Sequence, residues 1–262
     1  AALFFLTLVL LAGWQGVKVA LSIGISIALI GYVLIPAFLA GWNPVPVAIV
    51  LGGLFTVVST GLSSGWNRKA LVTAAGTMGG ALVAYLLAGV FADAAHVSGL
   101  SSEEDRLFFQ RNPDLDPRGL LFAGIIIAAV GVLEDVAVSI VSGISEVRRA
   151  NPNVGFRQLF ASGMVVGRDH MSALANTLIY AYVGASLSSL LLYKQFGESW
   201  LKFMNFDVVV DETIRSLCAT IGLVFTVPIT ALLAAWAIRR PVPGSPAAHG
   251  HAHGHPPHGT AI

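Results

Sequence analysis

Charged residues are scarce in this 262-residue chain: they make up 11% of it, whereas hydrophobic residues make up 55%. Soluble globular domains carry roughly 25% charged residues, so this composition excludes an ordinary soluble fold. The 15 basic and 14 acidic residues nearly balance, and no basic stripe is interleaved with aromatic residues. We therefore expect no nucleic acid among the partners of this protein.

Cysteine is nearly absent as well, since Cys218 is the only one in the sequence and lies in an apolar run. A single cysteine cannot form an intrachain disulfide, and we interpret this one as a helix-packing residue. The sequence has no phosphate-binding loop, no Cys-x-x-Cys pair and no His-Glu-x-x-His motif. Enzymatic activity therefore has little support from motifs.

Long uncharged runs are plentiful, and a helix needs about 20 apolar residues to cross a bilayer core about 30 Å thick. These runs predict an all-α, polytopic transmembrane helix bundle with about seven membrane-spanning helices. The predicted spans are residues 1–12, 20–40, 44–65, 70–92, 119–145, 171–193 and 216–238. Residues 1–240 form the membrane domain, with a surface loop at 93–118 and a short interfacial helix near Phe156. The Pro, Gly, Ala and His-rich residues 241–262 form a disordered tail.

The distribution of charge between the predicted loops indicates the orientation. Strict alternation puts residues 13–18, 64–69, 146–168 and the C-terminal segment on one side, with nine basic residues against one acid, Glu146. The other side has six basic residues and ten acids. The positive-inside rule makes the first side cytoplasmic, so we predict a multipass protein of the cell membrane with a cytoplasmic C-terminus. The chain starts at Ala1 without a methionine, and we expect it to begin inside a longer protein.

Small residues recur at a spacing of four in one predicted span, at Gly76, Gly80, Ala84 and Ala88. Such a ridge lets two helix backbones approach closely. Because glycine and alanine are common in membrane helices, the ridge is either a specific contact or a consequence of composition.

Ionisable groups lie inside apolar stretches between residues 131 and 180. Helical spacing puts Asp135 on a stripe of small and polar residues, and Glu134 lies about 100° away on the same helix. A second stripe follows on the next span. A carboxylate at the bilayer centre costs roughly 2.5 to 3.5 kcal/mol, so such groups usually face protein or water. The first stripe is Gly124, Ala128, Gly131, Asp135, Ser139 and Ser142, and the second is Asp169, Ser172 or Ala173, Asn176 and Tyr180, with Thr177 beside it.

Two interpretations of these stripes remain open. Facing stripes would line an oxygen-rich path or cation site, since carboxylate, hydroxyl and amide oxygens are ligands of hard cations. Alternatively, their hydrogen bonds only hold helices together, at about 0.6 kcal/mol per contact. For the serines and Asn176 we favour packing, and for Asp135 the cost of burial favours function. We expect Arg168, Asp169 and His170 at the cytoplasmic boundary.

Five of the seven histidines lie in the tail, at His249, His251, His253, His255 and His258. Imidazole-rich tracts bind Zn, Ni or Cu weakly, so this segment is either a weak metal site or simply a solvated tail. We expect no other cofactor.

Several motifs resemble the YibE/F family of bacterial multipass membrane proteins. They are Gly-Val-Leu-Glu-Asp-Val-Ala-Val-Ser at 131–139, Asn-Pro at 151–152, Gly-Arg-Asp-His at 167–170, Asn-Thr-Leu at 176–178, Ala-Tyr-Val-Gly-Ala-Ser-Leu at 181–187 and Ile-Gly-Leu-Val-Phe-Thr-Val-Pro at 221–228. The resemblance implies an extramembrane domain upstream of the membrane region and no established activity. Asp135, Ser139, Arg168, Asp169, Asn176 and Thr177 occupy the family's motif positions. Glu134 stands where other members carry Asp or an apolar residue.

These observations lead to two functional hypotheses from different classes. The first is a membrane transport protein that moves a small solute or cation along a path lined by Asp135 and Asp169. The second is a structural or assembly component whose polar stripes bind partner helices, and an intramembrane enzyme ranks third. The expected partners are the lipid bilayer, the upstream domain and further copies of the chain.

Overall fold

The computed structural model describes residues 2–101, 103–185, 187–195 and 199–238. Within these residues the chain is helical and contains no strand, which confirms the predicted all-α class. The predicted tail, with its five histidines, lies outside the described residues.

Ten α-helices and one π-helical turn follow one another along the described residues. They are α1 (Ala2–Leu29), the π-helical turn Ile30–Leu34, α2 (Ile35–Leu39), α3 (Pro44–Ser64), α4 (Arg68–Ala94), α5 (Glu103–Arg111), α6 (Pro117–Ala150), α7 (Phe156–Ala185), α8 (Leu187–Gln195), α9 (Trp200–Met204) and α10 (Asp207–Ile238). Helix α1 is broken at Gly13, where φ is 56° and ψ is −134°. Glycine adopts this left-handed region without steric penalty, so the break falls where the sequence allows it.

Local sequence explains where the long helices begin. The side chains of Asn43, Asn67 and Asp116 each accept a hydrogen bond from the backbone N–H two residues ahead. Asn and Asp are favoured at this position because their oxygens satisfy N–H groups that have no partner inside the helix. Pro44 and Pro117 then occupy the first helical position, where a missing N–H costs nothing.

Among the described residues, five helical segments are long and apolar enough to cross a membrane. They are Val9–Leu39, Pro44–Ser63, Arg68–Ala94, Pro117–Ala150 and Asp207–Ile238. The predicted count of seven is not confirmed. Residues 1–12 are continuous with the helical run that holds the predicted span 20–40, and the predicted span 171–193 falls on α7 and α8.

The chain crosses the bundle once more between α6 and α10, in the interval that holds α7. At one end, Arg106 of α5 pairs with Asp207 at the start of α10, at 3.6 Å. At the other end, Lys69 at the start of α4 interacts electrostatically with Arg149 near the end of α6. Since α6 ends at the second end and α10 starts at the first, the chain must return between them, and α7 is the long helix in that interval.

One expectation about this interval is wrong. The segment near Phe156 is the first turn of the 30-residue helix α7 and not a separate interfacial helix. Arg168, Asp169 and His170 lie near the middle of α7, roughly 18 Å from its start at 1.5 Å per residue, and their position at the cytoplasmic boundary stays a prediction. The first half of α7 packs closely through two glycines, since Gly163 lies against Ile144 and Ala231, and Gly167 lies against Val227 and Ile140.

Helix α6 lies at the centre of the bundle and packs against α3, α4, α7 and α10. Its residues Leu133, Val136, Ile140 and Ile144 are fully buried. This burial leaves only one side of α6 for the polar stripe predicted from the sequence.

The small-residue ridge of α4 is a specific contact with α10. A Cβ atom added at Gly76 would overlap Thr230, and one added at Gly80 would overlap Thr226. Ala84 lies at the same interface, because a Cβ at Gly222 of α10 would meet it. The ridge therefore lets α4 and α10 approach closely, as its spacing allows.

Candidate functional site

The adjacent carboxylates of Glu134 and Asp135 lie near the middle of α6 and point to different surroundings. Glu134 is partly buried and faces the hydroxyls of Ser59 and Thr60 on α3. Asp135 is exposed, and Ser139 donates a hydrogen bond of 2.9 Å to its backbone carbonyl. The two acids therefore belong to two sites, which the 100° rotation between successive helical residues makes possible.

The α6 stripe lies on the side of the helix that faces away from the core. Gly131, Asp135 and Ser142 are exposed, while Gly124, Ala128 and Ser139 are partly exposed. The predicted alignment on one face is therefore present, and the face is open within the described residues.

Arg215 of α10 lies at one end of this stripe. The sequence pattern alone does not indicate this position. A Cβ atom at Gly124 would be 3.6 Å from the Nη1 atom of Arg215, so the guanidinium lies over the stripe. Arg215 also pairs with Glu212 at 3.5 Å. The last predicted span begins at residue 216, whereas helix α10 begins at Asp207. Arg215 therefore lies two turns inside the helix and not in the preceding loop.

A buried acid, Asp211, lies one turn before Arg215. Its side chain is 6% exposed and interacts with Ser101, which precedes α5, and with Arg215. These contacts, together with the Arg106 to Asp207 pair, hold the α5 segment against the start of α10.

The α7 stripe is exposed along its length. Arg168, Asp169, Ser172, Asn176, Thr177 and Tyr180 all have exposed side chains. Ser172 donates to the carbonyl of Arg168 at 3.1 Å, and Thr177 donates to the carbonyl of Ala173 at 3.0 Å. Because these hydroxyls donate within their own helix, their donors do not bind α6.

Helices α6 and α7 are nevertheless direct neighbours, since Val166 of α7 packs against Gly143 of α6. The structure therefore brings the two stripes onto adjacent helices. Both stripes are exposed in the part of the chain that is described. We call the two exposed stripes of α6 and α7 together the polar face.

Two cavities lie apart from the polar face. The larger, of about 340 Å³, is apolar and is lined by Phe91, Ala94, Met204, Val210, Ile214 and Leu217 among others. The smaller, of about 130 Å³, lies beside Trp42, Asn43, Asp114 and Asp116. Neither includes a residue of the two polar stripes.

The His, Cys, Asp and Glu side chains of the described residues form no group of three that could hold a metal ion. Residues 61–65 match the Gly-x-Ser-x-Gly motif of nucleophilic serines. However, Ser63 lies in the last turn of α3 and donates to the carbonyl of Ser59 at 2.8 Å. A nucleophile elbow requires a strained turn between a strand and a helix, so this match has no catalytic geometry.

The helical fold, with charged residues along membrane-length helices, defines a multipass α-helical membrane protein. The chain belongs to the YibE/F-like protein family, whose profile matches residues 1–240. Comparisons with curated proteins and with solved structures give no match.

Proposed function

We propose that this chain transports a small solute or cation across the cell membrane along the polar face of α6 and α7. The observation that carries the proposal is the position of Asp135, an exposed carboxylate near the middle of a central membrane-length helix. Exposed to lipid, this group would cost roughly 2.5 to 3.5 kcal/mol, whereas water or a polar solute beside it would remove that cost.

The distribution of charge along the polar face supports a path. Arg215 lies at the Gly124 end, and Asp135 follows eleven residues later on α6, or roughly 16 Å at 1.5 Å per residue. The glycines and alanine between them leave space beside the helix. Asp169 and Asn176 add a carboxylate and an amide from α7. A polar solute would thus meet successive hydrogen-bonding groups across the membrane.

A structural or assembly role is the second proposal, and the same exposure favours it. An open polar face on membrane helices is also what a partner helix would cover, and Gly131 would let such a helix approach closely. In this role the partner is a further copy of the chain or another membrane protein.

Water access separates the two roles. Cysteines are introduced singly at Ser139 and Asn176 in a Cys218→Ala background, since Cys218 is the only native thiol and is fully buried. A cysteine at Leu86 of α4, an apolar side chain that is 57% exposed, serves as the lipid-facing control. We expect a charged, water-soluble thiol reagent to label the Ser139→Cys and Asn176→Cys variants in intact membranes and to leave Leu86→Cys unlabelled.

Labelling of neither test position in a protein that still folds would contradict the path and favour assembly. Labelling at one end only, when the reagent is applied to one side of the membrane, would show which side opens to the face.

We also propose a cytoplasmic C-terminus and weak Zn or Ni binding by the histidines of residues 249–258. Alternating histidines in a glycine-rich segment support the second of these.

A further inference from the structure

The side chain of Glu134 defines a second polar position, separate from the polar face. Its carboxylate points toward α3, where Ser59 and Thr60 present their hydroxyls to it. Thr60 is only 3% exposed, and its Oγ1 atom has no hydrogen-bond partner in the described part of the protein. Position 134 thus combines a charged group and two hydroxyls in partly buried surroundings.

Two neighbouring hydroxyls of α3 are bonded, unlike that of Thr60. Thr56, one turn before Thr60, donates to the carbonyl of Gly52 at 3.1 Å, and Ser63, three residues after Thr60, donates to the carbonyl of Ser59 at 2.8 Å. Both hydroxyls are satisfied within their own helix, as is common for Ser and Thr in membrane helices. Four other buried hydroxyls in the described residues are unpartnered too, those of Thr73, Thr77, Ser145 and Thr230. Thr60 is distinguished by the carboxylate that it faces.

We propose that Glu134, Ser59 and Thr60 bind one small monovalent cation, such as Na⁺, between α3 and α6. Carboxylate and hydroxyl oxygens are hard ligands and suit such an ion. The charge of the ion follows from the charge of the site. A single carboxylate balances one positive charge, and Asp135, the adjacent acid, points away by about 100°.

Cation binding also resolves two energetic costs of this position. An ionised carboxylate held partly away from water is costly unless it takes up a proton or a cation lies beside it, and a buried hydroxyl without a partner costs about 1–3 kcal/mol. A cation between them would satisfy both groups. Binding of the ion is inferred from these contacts alone. A role of the bound ion in driving transport rests on the proposed transport function.

The test is the thermal stability of the purified full chain in detergent, in sodium chloride against choline chloride at equal ionic strength. An ion that binds only the folded protein raises its melting temperature. We expect Na⁺ to raise the melting temperature of the wild type by several °C, which corresponds to a saturated site in a protein of this size. Glu134→Gln should abolish this rise, and Thr60→Val should reduce it to less than half.

Thr56→Val is the matched control, because it removes a buried hydroxyl of the same helix that is already bonded to Gly52. It should retain the full Na⁺ effect. If Glu134→Gln does not fold, the comparison of Thr60→Val with Thr56→Val decides the question.

The proposal is overturned if Na⁺, Li⁺ and K⁺ all leave the wild-type melting temperature at its choline value. An equal rise in wild type, Thr60→Val and Thr56→Val would overturn it as well. Its failure differs from that of the transport proposal: inert cysteines at positions 139 and 176 together with an intact Na⁺ effect would remove the path and keep the ion site.

Discussion

At the scale of the residue, two acids adjacent in sequence have different surroundings because a helix turns by about 100° per residue. Glu134 faces α3, and Asp135 lies on the polar face. The described residues include no ion pair for Asp135, so nothing there supports this carboxylate as half of a buried pair. Its exposure on the polar face is the observation on which the proposed path rests.

Asp135→Asn is expected to remove function and to preserve the fold. The substitution keeps the size and most of the hydrogen-bonding capacity of the side chain while it removes the charge. Because no paired cation is left behind, the stability should stay within about 0.5 kcal/mol of wild type or increase. The measurement is a melting curve of both proteins in one detergent, combined with uptake into vesicles of a solute identified for the wild type.

A variant that is several kcal/mol less stable, with unchanged uptake per folded molecule, would mean that Asp135 is structural. Ser142→Ala is the control, because it changes the same exposed side of α6 without removing a charge.

At the scale of the element, the pair formed by α4 and α10 shows how small residues position long helices. Gly76 and Gly80 leave room for Thr230 and Thr226, and a side chain at either glycine would occupy the space of the threonine. Close approach of this kind increases van der Waals contact, which drives helix association in lipid, where the solvent is as apolar as the helix.

Gly80→Ala is expected to destabilise the protein by about 1–3 kcal/mol, because the added methyl group overpacks a close contact. Gly89→Ala is the control on the same helix, since nothing lies within 4 Å of its Cβ position. The control should be neutral or stabilising by up to about 1 kcal/mol, as alanine favours helix. Thermal unfolding in detergent measures both, and equal melting temperatures for the two variants would contradict the contact.

Helix α7 illustrates the reverse case, in which packing overrides a local signal. The run Arg168, Asp169 and His170 reads as the end of a membrane helix, yet α7 continues through it from Phe156 to Ala185. Gly163 and Gly167 dock the first half of α7 against α6 and α10. The charged run then lies on the exposed side, where water or a partner can reach it.

At the scale of the whole molecule, the bundle has two charged ends. One end brings together Lys69, Glu146 and Arg149. The other end contains the pairs Arg118 to Asp93, at 2.6 Å, and Arg106 to Asp207. Lys18 lies within the membrane-length segment Val9–Leu39 and Arg168 lies within α7, so the basic excess at the first end rests on the remaining residues.

The orientation prediction is a cytoplasmic position for the end that holds Lys69 and Arg149. A reporter fused after Arg240 should be active if it requires the cytoplasm and inactive if it requires export, since basic loops are retained inside. A second fusion in the α5–α6 loop, after Asn112, should show the opposite pattern. Export-dependent activity after Arg240 would refute the orientation.

Much of the fold was predictable because its determinants are local. Apolar length predicts membrane helices, Asn and Asp followed by Pro predict where α3 and α6 begin, and helical periodicity predicts that Asp135 shares a face with Gly131 and Ser142. Each of these depends on residues within a few turns of one another. The membrane class, the family and the polar stripes therefore follow from the sequence alone.

The remaining features depend on residues far apart in the chain. Periodicity groups residues on one side of a helix without stating what that side meets, so only the packing of four helices around α6 shows that the Asp135 side is open. In the same way, tertiary structure alone places Glu134 opposite Ser59 and Thr60, and Arg215 beside Gly124. The physical reason is that the regular geometry of a helix determines which of its residues share a side. A contact between helices depends instead on how their whole surfaces fit together.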